Sequence, residues 1–481
     1  MAKTLKEKTA QGLLWGAVNS GMTQLLNLVI GIFLARKLLP DDYGIIGVLT
    51  IFTVIAGNLQ SSGFTQGLIN MKQPTSNDYN SVFWFNITAS FVIYAILFCC
   101  APLIALFFHQ PVLVDVSRFV FLSFVISSFG IAQNAYMVKN MMQREIAVCS
   151  IVALVMSGAV GLTLAYLDMA YWSLAWQQVV YITVLNIGRY YYADWRPSFH
   201  IDMKPVKGMF RFSVKILFTN IINTLSQNLL TFIFGHLFHI TTVGNYSQAN
   251  KWNTMANSTI SNTLGQVAQT VLVLVSVEDE RDREVRVFRK MLRFTAFLSF
   301  PALFGLALVS REFILFLLKD DWVGAVPLLQ ILCLGGAFLP FYTLYQNLAI
   351  SNRRSDLYMW CNIAQIVVQL VVVLEFYRYG IIVTVWAYSA FTIVWLLAWQ
   401  LIANHLIGLR FTHMLLDTMP FMLSAMAVMI ATYYSTAWID SLALLLVTRI
   451  IIAALLYFAI MKIAKVKILD ECLQYFSKKS C

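Results

Sequence analysis

Long apolar runs recur along almost the whole chain, and they restrict its fold more than any other feature of the sequence. Each is about 20 residues or longer, the length a helix needs to cross the hydrocarbon core of a bilayer. Because backbone polar groups in hydrocarbon must be hydrogen-bonded within the segment, such runs predict transmembrane helices. Fourteen runs begin near Leu13, Gly44, Val82, Arg118, Ile146, Trp172, Met209, Val243, Leu292, Val326, Tyr358, Gly380, Leu415 and Ser441. We therefore expect an all-α polytopic membrane protein with about 14 transmembrane helices.

Composition agrees with this class and argues against a nucleic-acid partner. The chain is 59% hydrophobic and 12% charged, with a mean hydropathy of +0.72, which lies outside the range of soluble domains. Its net charge of +11 comes from Lys and Arg that fall between apolar runs and form no basic patch on a soluble domain. The partner indicated by the composition is the lipid bilayer.

The distribution of positive charge predicts the orientation of the chain in the membrane. Fourteen spans place both termini on the same side, and Lys and Arg accumulate in cytoplasmic loops. With these spans, 25 of the 34 Lys and Arg fall on the side of the termini and six on the opposite side. Three lie within spans: Lys215, Lys251 and Arg449. We expect a multi-pass protein with both termini in the cytoplasm.

Residues 209–276 contain two successive spans that are unusually rich in amides. Side chains that recur every three or four residues share one face of a helix, and an unpaired polar group facing hydrocarbon costs several kcal/mol, roughly 2–7. These side chains should therefore face a cavity or another helix, and we interpret the two spans as one wall of an aqueous path. The polar residues are Lys215, Asn220, Asn223, Gln227 and Asn228 in the first span, and Gln248, Lys251, Ser258, Asn262, Gln266 and Gln269 in the second.

A faint internal repeat appears at an offset of 200 residues. Residues 11–44 align with residues 211–244, so that Gly44 matches Gly244 and Asn27 matches Gln227. Six intervening spans would give both copies the same orientation, related by an axis along the membrane normal. Two bundles that face each other across a cleft are the plan of a transporter.

Several short motifs resemble those of a known family. They include Ala35-Arg36, Leu39-Pro40, Asp42-Tyr43-Gly44, Gly63-Phe64, Gly244-Asn245-Tyr246-Ser247-Gln248-Ala249, Trp322 and Arg354-Ser355-Asp356. Together they are similar to the polysaccharide transporters, the Wzx-like bacterial O-antigen and exopolysaccharide flippases of the multidrug/oligosaccharidyl-lipid/polysaccharide exporter superfamily. One departure concerns the seventh span, where the family often has an acid in Asn-Leu-Asp-Asn. This chain has Asn228-Leu229-Leu230-Thr231, so any role of that acid is absent.

The resemblance implies a fold of two pseudo-symmetric six-helix lobes plus two C-terminal helices. The lobes would be residues 1–207 and 208–408, followed by residues 409–481 with helices 13–14 and a cytoplasmic tail. The implied protein is a monomeric flippase of the bacterial cytoplasmic (inner) membrane. It would translocate an undecaprenyl-diphosphate-linked oligosaccharide from the cytoplasmic to the outer leaflet by alternating access, for lipopolysaccharide, exopolysaccharide or capsule biosynthesis. Expected partners are the lipid-linked oligosaccharide substrate, a polysaccharide polymerase and the chain-length machinery.

The diphosphate of such a substrate requires cations in a low-dielectric cavity. Lys215 and Lys251 are the candidates within spans, although each could instead extend to the interface or cap a carbonyl. Arg36 at the outer rim either contacts substrate or anchors the helix end at the interface. Arg449 in the last helix is expected to extend to the interface or to pack between helices.

The sugars require amide hydrogen bonds and aromatic faces. Either these amides bind sugar or they hydrogen-bond helix to helix. Tyr246 and Trp252, beside the polar stripe, could stack on a sugar ring or serve in packing. The candidate amides are Asn19, Gln24 and Asn27 on the first helix, Asn223, Gln227 and Asn228 on the seventh, and Asn262 on the eighth.

No arrangement of residues typical of catalysis is visible, so we expect neither an enzyme nor a cofactor. His236 and His239 form an H-x-x-H without a third ligand, which argues against a metal site. Asp168, Asp194 and Glu375 fall near span ends, and we expect no carboxylate deep in a span and no proton relay. Outward movement of an anion could then be driven electrically, by about 2.3 kcal/mol per charge per 100 mV. Removal of product by polymerisation and coupling to a cation bound by backbone carbonyls are the alternatives.

Two other classes of function were weighed. A multidrug or cation extruder of the same fold would need an acidic residue inside the membrane to bind its cation, and its expected absence counts against this class. A membrane polymerase or glycosyltransferase would need a large outer loop or a nucleotide-sugar domain with paired carboxylates, and neither is visible.

Overall fold

The structure, a computed structural model, describes residues 5–71, 73–199, 224, 228–277, 281–466 and 468–469. These residues form α-helices joined by short connections. Nine single helices, and one pair of consecutive helices over Ala325–Ser351, are long and apolar enough to cross a bilayer. These are ten spans, or eleven if a second, bent pair is also one span. The all-helical membrane fold is thus confirmed, and the number fourteen stays a prediction.

Contacts divide the chain into two compact units, residues 1–244 and residues 245–481. The predicted boundary at residues 207 and 208 lies outside the described residues, so the division into two lobes and a C-terminal pair of helices remains a prediction. The helices of the first unit are α1 (Leu5–Lys37), α2 (Pro40–Asn70), α3 (Ser76–Phe107), α4 (Leu113–Ser128), α5 (Ile131–Lys139), α6 (Gln143–Tyr166), α7 (Trp172–Tyr192) and α8 (Asn228–Leu237).

The second unit contains the remaining helices, of which the first begins shortly before the division. They are α9 (Ile240–Val277), α10 (Arg281–Leu317), α11 (Ala325–Gly336), α12 (Leu339–Ser351), α13 (Ser355–Phe376), α14 (Ile381–Ile407), α15 (Phe411–Ser435) and α16 (Leu442–Ile463). Thirteen of the fourteen predicted runs coincide with one of these helices or with a broken pair of them. The start of the seventh run, near Met209, lies outside the described residues.

The charged residues from Arg281 to Lys290 are continuous with a span. Residues from Arg281 onward form the first turns of α10, which continues to Leu317. Exposed Asp282 and Arg283 lie on this end of the helix, and Glu284 is buried and accepts a hydrogen bond of 2.7 Å from Asn352 Nδ2. The charged stretch therefore ties the start of α10 to the end of α12.

Among the described residues, each unit contains a span that is divided into two helices. In the first unit α4 and α5 meet at a bend of 45° beside Gly130. A helix break leaves carbonyls without their usual partners, and Asn186 Nδ2 of α7 donates to Ile126 O at 2.5 Å. The Asn186 side chain lies where a Cβ on Gly130 would be, 1.8 Å from its Oδ1. Only glycine lets the two helices approach this closely.

The broken span of the second unit, α11 and α12, has the same construction. Gly335 lies 205 residues after Gly130, and a Cβ on it would be 2.7 Å from Ser389 Cβ of α14. Ser389 Oγ donates to Ile331 O at 3.3 Å, the carbonyl four residues before the glycine, as Ile126 O is before Gly130. The same contact thus recurs at an offset of 205 residues, close to the offset of 200 in the sequence repeat.

The aligned glycines of the sequence repeat meet in the first unit. A Cβ on Gly44 would lie 2.3 Å from Ile240 O, and a Cβ on Gly244 would lie 1.8 Å from Pro40 O. The first turn of α2 therefore crosses the first turn of α9, with each glycine against the opening residue of the other helix. Because Ile240 is 200 residues after Pro40, the two contacts are related by a local pseudo-two-fold axis.

Candidate functional site

The amides predicted on the first helix all lie on α1 and are partly exposed. Asn19 Oδ1 accepts a hydrogen bond from Thr23 Oγ1 at 3.5 Å, one turn further along the helix. Gln24 and Asn27 are also partly exposed and so present amide groups outside the packed core of the first unit. Arg36, in the last turn of α1, is exposed.

The seventh span is described only in part. Lys215, Asn223 and Gln227 lie outside the described residues, so their assignment to a substrate site stays a prediction. Asn228, at the start of α8, donates from Nδ2 to Thr224 O at 3.0 Å. Its amide nitrogen is therefore used by the backbone of its own helix, and its carbonyl oxygen is the group left for a ligand.

The residues predicted on the eighth span belong to α9. Lys251 is partly buried, and its Nζ lies 5.8 Å from the centre of the Trp252 ring. None of the ion pairs among the described residues includes Lys251. A half-buried ammonium group that has no counter-ion among the described residues favours an anion. The assignment of Lys251 to a diphosphate stays a prediction. Asn262, three turns further along, is exposed.

Two aromatic residues of α9 serve in packing. Tyr246 and Trp252 are 2% and 3% exposed, so neither offers a ring face to a sugar in this structure. Trp252 packs edge-on against Phe313 of α10, with ring centres 5.1 Å apart. Of the two alternatives for these residues, packing between helices describes their present environment.

The opposite face of α9 carries a buried amide pair that the sequence analysis missed. Asn257 Nδ2 donates to Asn253 Oδ1 at 3.0 Å, and both residues are about 95% buried. They lie against Gly336 at the break of α11 and α12, where a Cβ would be 2.2 Å from Asn253 Oδ1. Their spacing of four residues was visible in the sequence. The sequence does not show that this face of α9 packs against Gly336, because Gly336 belongs to a distant span.

In the second unit an apolar cavity of about 600 Å³ lies between α10, α15 and α16. This volume is within the range of small-molecule binding sites, roughly 300–1,000 Å³. Apart from Arg449 and Tyr457, the lining side chains are apolar. They include Leu298, Pro301, Leu306, Val309, Phe313, Val428, Met429, Ile450, Ala453 and Phe458.

A proline shapes the wall of this cavity. Pro301 lies inside α10 and has no N–H, so the carbonyl of Phe297, four residues earlier, loses its helical partner. Tyr457 Oη of α16 donates to Phe297 O at 3.1 Å and replaces that bond. Gly305, one turn further on, has open space where a side chain would project. The proline and the glycine together remove side-chain volume from one face of α10 and leave room for the cavity.

Ion pairs fasten α10 to the last two helices on both sides of the cavity. Arg289 chelates Asp417 of α15, with Nε and Nη2 2.6 Å and 3.1 Å from its two carboxylate oxygens. Arg293 Nε lies 3.5 Å from the same carboxylate. At the other side, Arg449 Nη1 lies 2.9 Å from Glu312 Oε1. Arg289 and Glu312 are 23 residues apart, about 35 Å along a helix. The cavity therefore lies between two groups of ion pairs that are separated by about the thickness of the membrane.

These pairs correct one expectation and resolve another. Glu312 and Asp417 lie within spans and are buried, at 3% and 4% exposed, so the inference that the spans hold no buried acid is corrected. Both lie within about two turns of a helix end, and neighbouring helices and arginines bury them, so the expectation of no carboxylate deep along a span stays a prediction. Arg449 packs between helices, the second of its two expected roles. The argument against a proton relay built on a buried acid therefore loses its basis.

With this geometry established, comparisons with known proteins identify the family. The chain belongs to the family described as polysaccharide biosynthesis protein, whose model matches residues 33–327. It is similar to the lipopolysaccharide biosynthesis protein WzxC of Escherichia coli (strain K12), with 23% identity over 74% of this chain and 72% of the relative. It is also similar to the succinoglycan biosynthesis transport protein ExoT of Rhizobium meliloti (strain 1021), with 24% identity over 75% and 73%.

Among solved structures, the lipid II flippase MurJ in an inward closed conformation has a similar fold. The TM-score is 0.76 at 12% identity, and the match covers 95% of this chain and all of MurJ. At this identity the likeness shows the fold alone. The resemblance noted from the sequence motifs is thereby confirmed at the level of family and fold.

Proposed function

We propose that this protein is a flippase that moves a lipid-linked oligosaccharide from the cytoplasmic to the outer leaflet during polysaccharide biosynthesis. The observation that carries the proposal is the apolar cavity between α10, α15 and α16, in a chain that belongs to a family of polysaccharide biosynthesis proteins. Its apolar lining suits a hydrocarbon chain, and a cavity on helices of spanning length is within reach of lipid. The name of the relative ExoT as a transport protein agrees with this class.

The remaining parts of the substrate suit the polar residues of the candidate site. An undecaprenyl diphosphate would place its phosphates near Lys251, whose ammonium has no described counter-ion, and near Lys215. The oligosaccharide would contact the amides of α1, α8 and α9, which hydrogen-bond sugars without adding charge. These amides are Asn19, Gln24, Asn27, Asn223, Gln227, Asn228 and Asn262, with Arg36 at the rim.

Transport would proceed by alternating access between the two predicted lobes. Within the first unit, Gly44 and Gly244 allow the backbones at the first turns of α2 and α9 to touch. Sub-ångström helix shifts at such a crossing switch between discrete packings, since packed interiors are not continuously deformable. In this proposal both termini lie in the cytoplasm, the protein acts without catalysis, and a polymerase and the chain-length machinery act on its product.

A multidrug or cation extruder is the alternative function for this fold. The buried acids Glu312 and Asp417 weaken the earlier argument against it, but an arginine already neutralises the charge of each carboxylate. Family membership and an uncharged apolar cavity wall favour the lipid-linked substrate.

The proposal is tested by deleting the chromosomal copy of the gene in a strain that makes the corresponding surface glycan, and by then supplying the wild-type gene. Loss of the protein should abolish the surface polymer and cause the lipid-linked oligosaccharide to accumulate in the inner leaflet, and the wild-type gene should restore both. Unchanged surface polymer combined with increased sensitivity to cationic drugs would favour the extruder and contradict the proposal.

A further inference from the structure

Among the described residues that line the apolar cavity, Arg449 alone is charged, and three contacts hold it in place. Its Nη1 lies 2.9 Å from Glu312 Oε1, and its Nε donates to Thr436 Oγ1 at 3.1 Å. The guanidinium carbon is 5.2 Å from the centre of the Tyr433 ring. The contacts come from α10, from α15 and from the residue that follows α15, so the guanidinium is fixed before any ligand arrives.

This arrangement leaves hydrogen-bonding capacity unused on both partners of the ion pair. The Nη2 group of Arg449 has no acceptor among the described residues, and Oε2 of Glu312 is buried without a donor among them. Arg449 is 6% exposed and lies at the cavity wall, so its free N–H groups are available to a ligand inside the cavity. A fully structural pair would be expected to use both carboxylate oxygens in bidentate geometry, as Asp417 does with Arg289.

We propose that Arg449 binds the phosphate of an anionic amphiphile whose hydrocarbon chain fills the cavity. This inference rests on the proposed function and names the chemistry that its cavity selects. A hydrocarbon chain gains little by moving from the bilayer into an apolar cavity, because lipid tails are as apolar as the lining. Selection must therefore come from the head group, and a fixed guanidinium is the side chain best suited to a phosphate.

Glu312 is the counter-ion of the empty site. An unpaired arginine buried in the membrane is costly, and the carboxylate neutralises it until a phosphate arrives. Thr436 and Tyr433 keep the guanidinium oriented in both states. Arg449 lies seven residues after Leu442, about 10 Å into α16. With the orientation expected from the charge distribution, this position is on the outer side and suits the carrier lipid after translocation.

Two lipids offer this chemistry: the polyprenyl carrier of the oligosaccharide and an anionic phospholipid of the bilayer. The test uses the full-length protein in detergent and measures binding of polyprenyl phosphate, polyprenol and phosphatidylglycerol by native mass spectrometry. The variant Arg449→Gln alone would leave Glu312 unpaired, so the informative pair is Glu312→Gln against Glu312→Gln/Arg449→Gln. These two proteins differ only in the charge of Arg449, and neither contains the buried carboxylate.

The double variant should bind polyprenyl phosphate, phosphatidylglycerol or both roughly 10- to 100-fold more weakly than Glu312→Gln, with polyprenol binding unchanged. The lipid whose affinity falls more is the one that Arg449 binds. Equal affinity of the two variants for both phosphate lipids, or an equal loss for polyprenol, would overturn the inference. Phosphate-lipid binding through Arg449 in a protein that fails to move oligosaccharide would instead contradict the proposed function and leave this inference standing.

Discussion

Gly44 of α2 lies against the first residue of α9, and Gly244 of α9 lies against the first residue of α2. A Cβ on Gly44 would lie 2.3 Å from Ile240 O, and a Cβ on Gly244 would lie 1.8 Å from Pro40 O. Distances under about 3 Å cannot be accommodated without moving a backbone, so both positions require glycine for steric reasons. Two residues matched only by a faint repeat in the sequence are thus equivalent in space.

This contact predicts that Gly44→Ala and Gly244→Ala separate the first turns of α2 and α9. Each should destabilise the protein by about 1–3 kcal/mol, as overpacking does, and should reduce export. Gly57→Ala is the matched control, since it lies on the same helix α2 and has no neighbour within 4 Å of the added Cβ. The control should be neutral or slightly stabilising. Melting temperatures of the three purified variants check the prediction, and equal values for Gly244→Ala and Gly57→Ala would refute it.

The hydrogen bond from Tyr457 to Phe297 should matter only because Pro301 is present. Tyr457→Phe removes the donor that replaces the missing proline N–H, and we expect a loss of about 1 kcal/mol. In a Pro301→Ala background the helix supplies its own N–H, so the same change should cost close to nothing. Thermal unfolding of the four proteins forms a double-mutant cycle. Equal costs in both backgrounds would show that the two residues are not coupled.

The ion pairs that join α10 to α15 involve Arg289, Arg293 and Asp417. Loss of Arg289 alone should lower the stability of the protein less than loss of both arginines. In Arg289→Gln the carboxylate of Asp417 keeps Arg293, which is 3.5 Å away. In Arg289→Gln/Arg293→Gln the buried carboxylate is unpaired, and breaking a buried pair in this way costs about 3–5 kcal/mol. Asp417→Asn should be milder than the double variant because both arginines are partly exposed. Melting temperatures in the order Arg289→Gln, Asp417→Asn and double variant, from high to low, are the expected result.

The two broken spans should respond differently to loss of their capping residue. Asn186→Ala removes a hydrogen bond of 2.5 Å to Ile126 O and leaves a space beside Gly130, so it should cost about 1–3 kcal/mol. Ser389→Ala removes a weaker bond of 3.3 Å and a smaller side chain, and should cost less. Urea or thermal unfolding of both variants measures the difference. A larger effect at Ser389 would contradict this interpretation of the breaks.

The fold could be predicted from the sequence because a helix that crosses the hydrocarbon core needs an apolar run of a minimum length. Apolar length alone located thirteen helical segments, including both broken spans as single runs. The breaks themselves were not predicted, since Gly130 and Gly335 are ordinary in helices of membrane proteins and become informative only beside Asn186 and Ser389.

The candidate site was predictable in part. The amides of α1 and the ammonium of Lys251 were visible because polar residues in spans are rare. The apolar cavity was not, since its lining has the composition of any span. Glu312 was missed because its position near the end of α10 concealed its burial against Arg449. Contacts between distant helices decide both features, and no local pattern encodes them.

The role of Lys251 can be tested separately from folding. Lys251→Gln removes a half-buried charge that has no described counter-ion, so stability should be unchanged or slightly higher. Export of surface glycan should nevertheless fall, because the diphosphate loses a cation in a low-dielectric site. Lys462→Gln, exposed at the end of α16, is the control and should export normally. Normal export by Lys251→Gln at normal protein abundance would remove this lysine from the site.

Movement of a lipid-linked oligosaccharide by the purified protein tests the central claim most directly. Full-length protein is reconstituted in vesicles that contain a fluorescent polyprenyl-diphosphate oligosaccharide, and a membrane-impermeant lectin or quencher measures how fast the sugar appears on the opposite face. The proposed function predicts protein-dependent translocation of this lipid, with Lys251→Gln slower than Lys462→Gln. Translocation at the rate of protein-free vesicles, while the same vesicles transport a cationic drug, would contradict it.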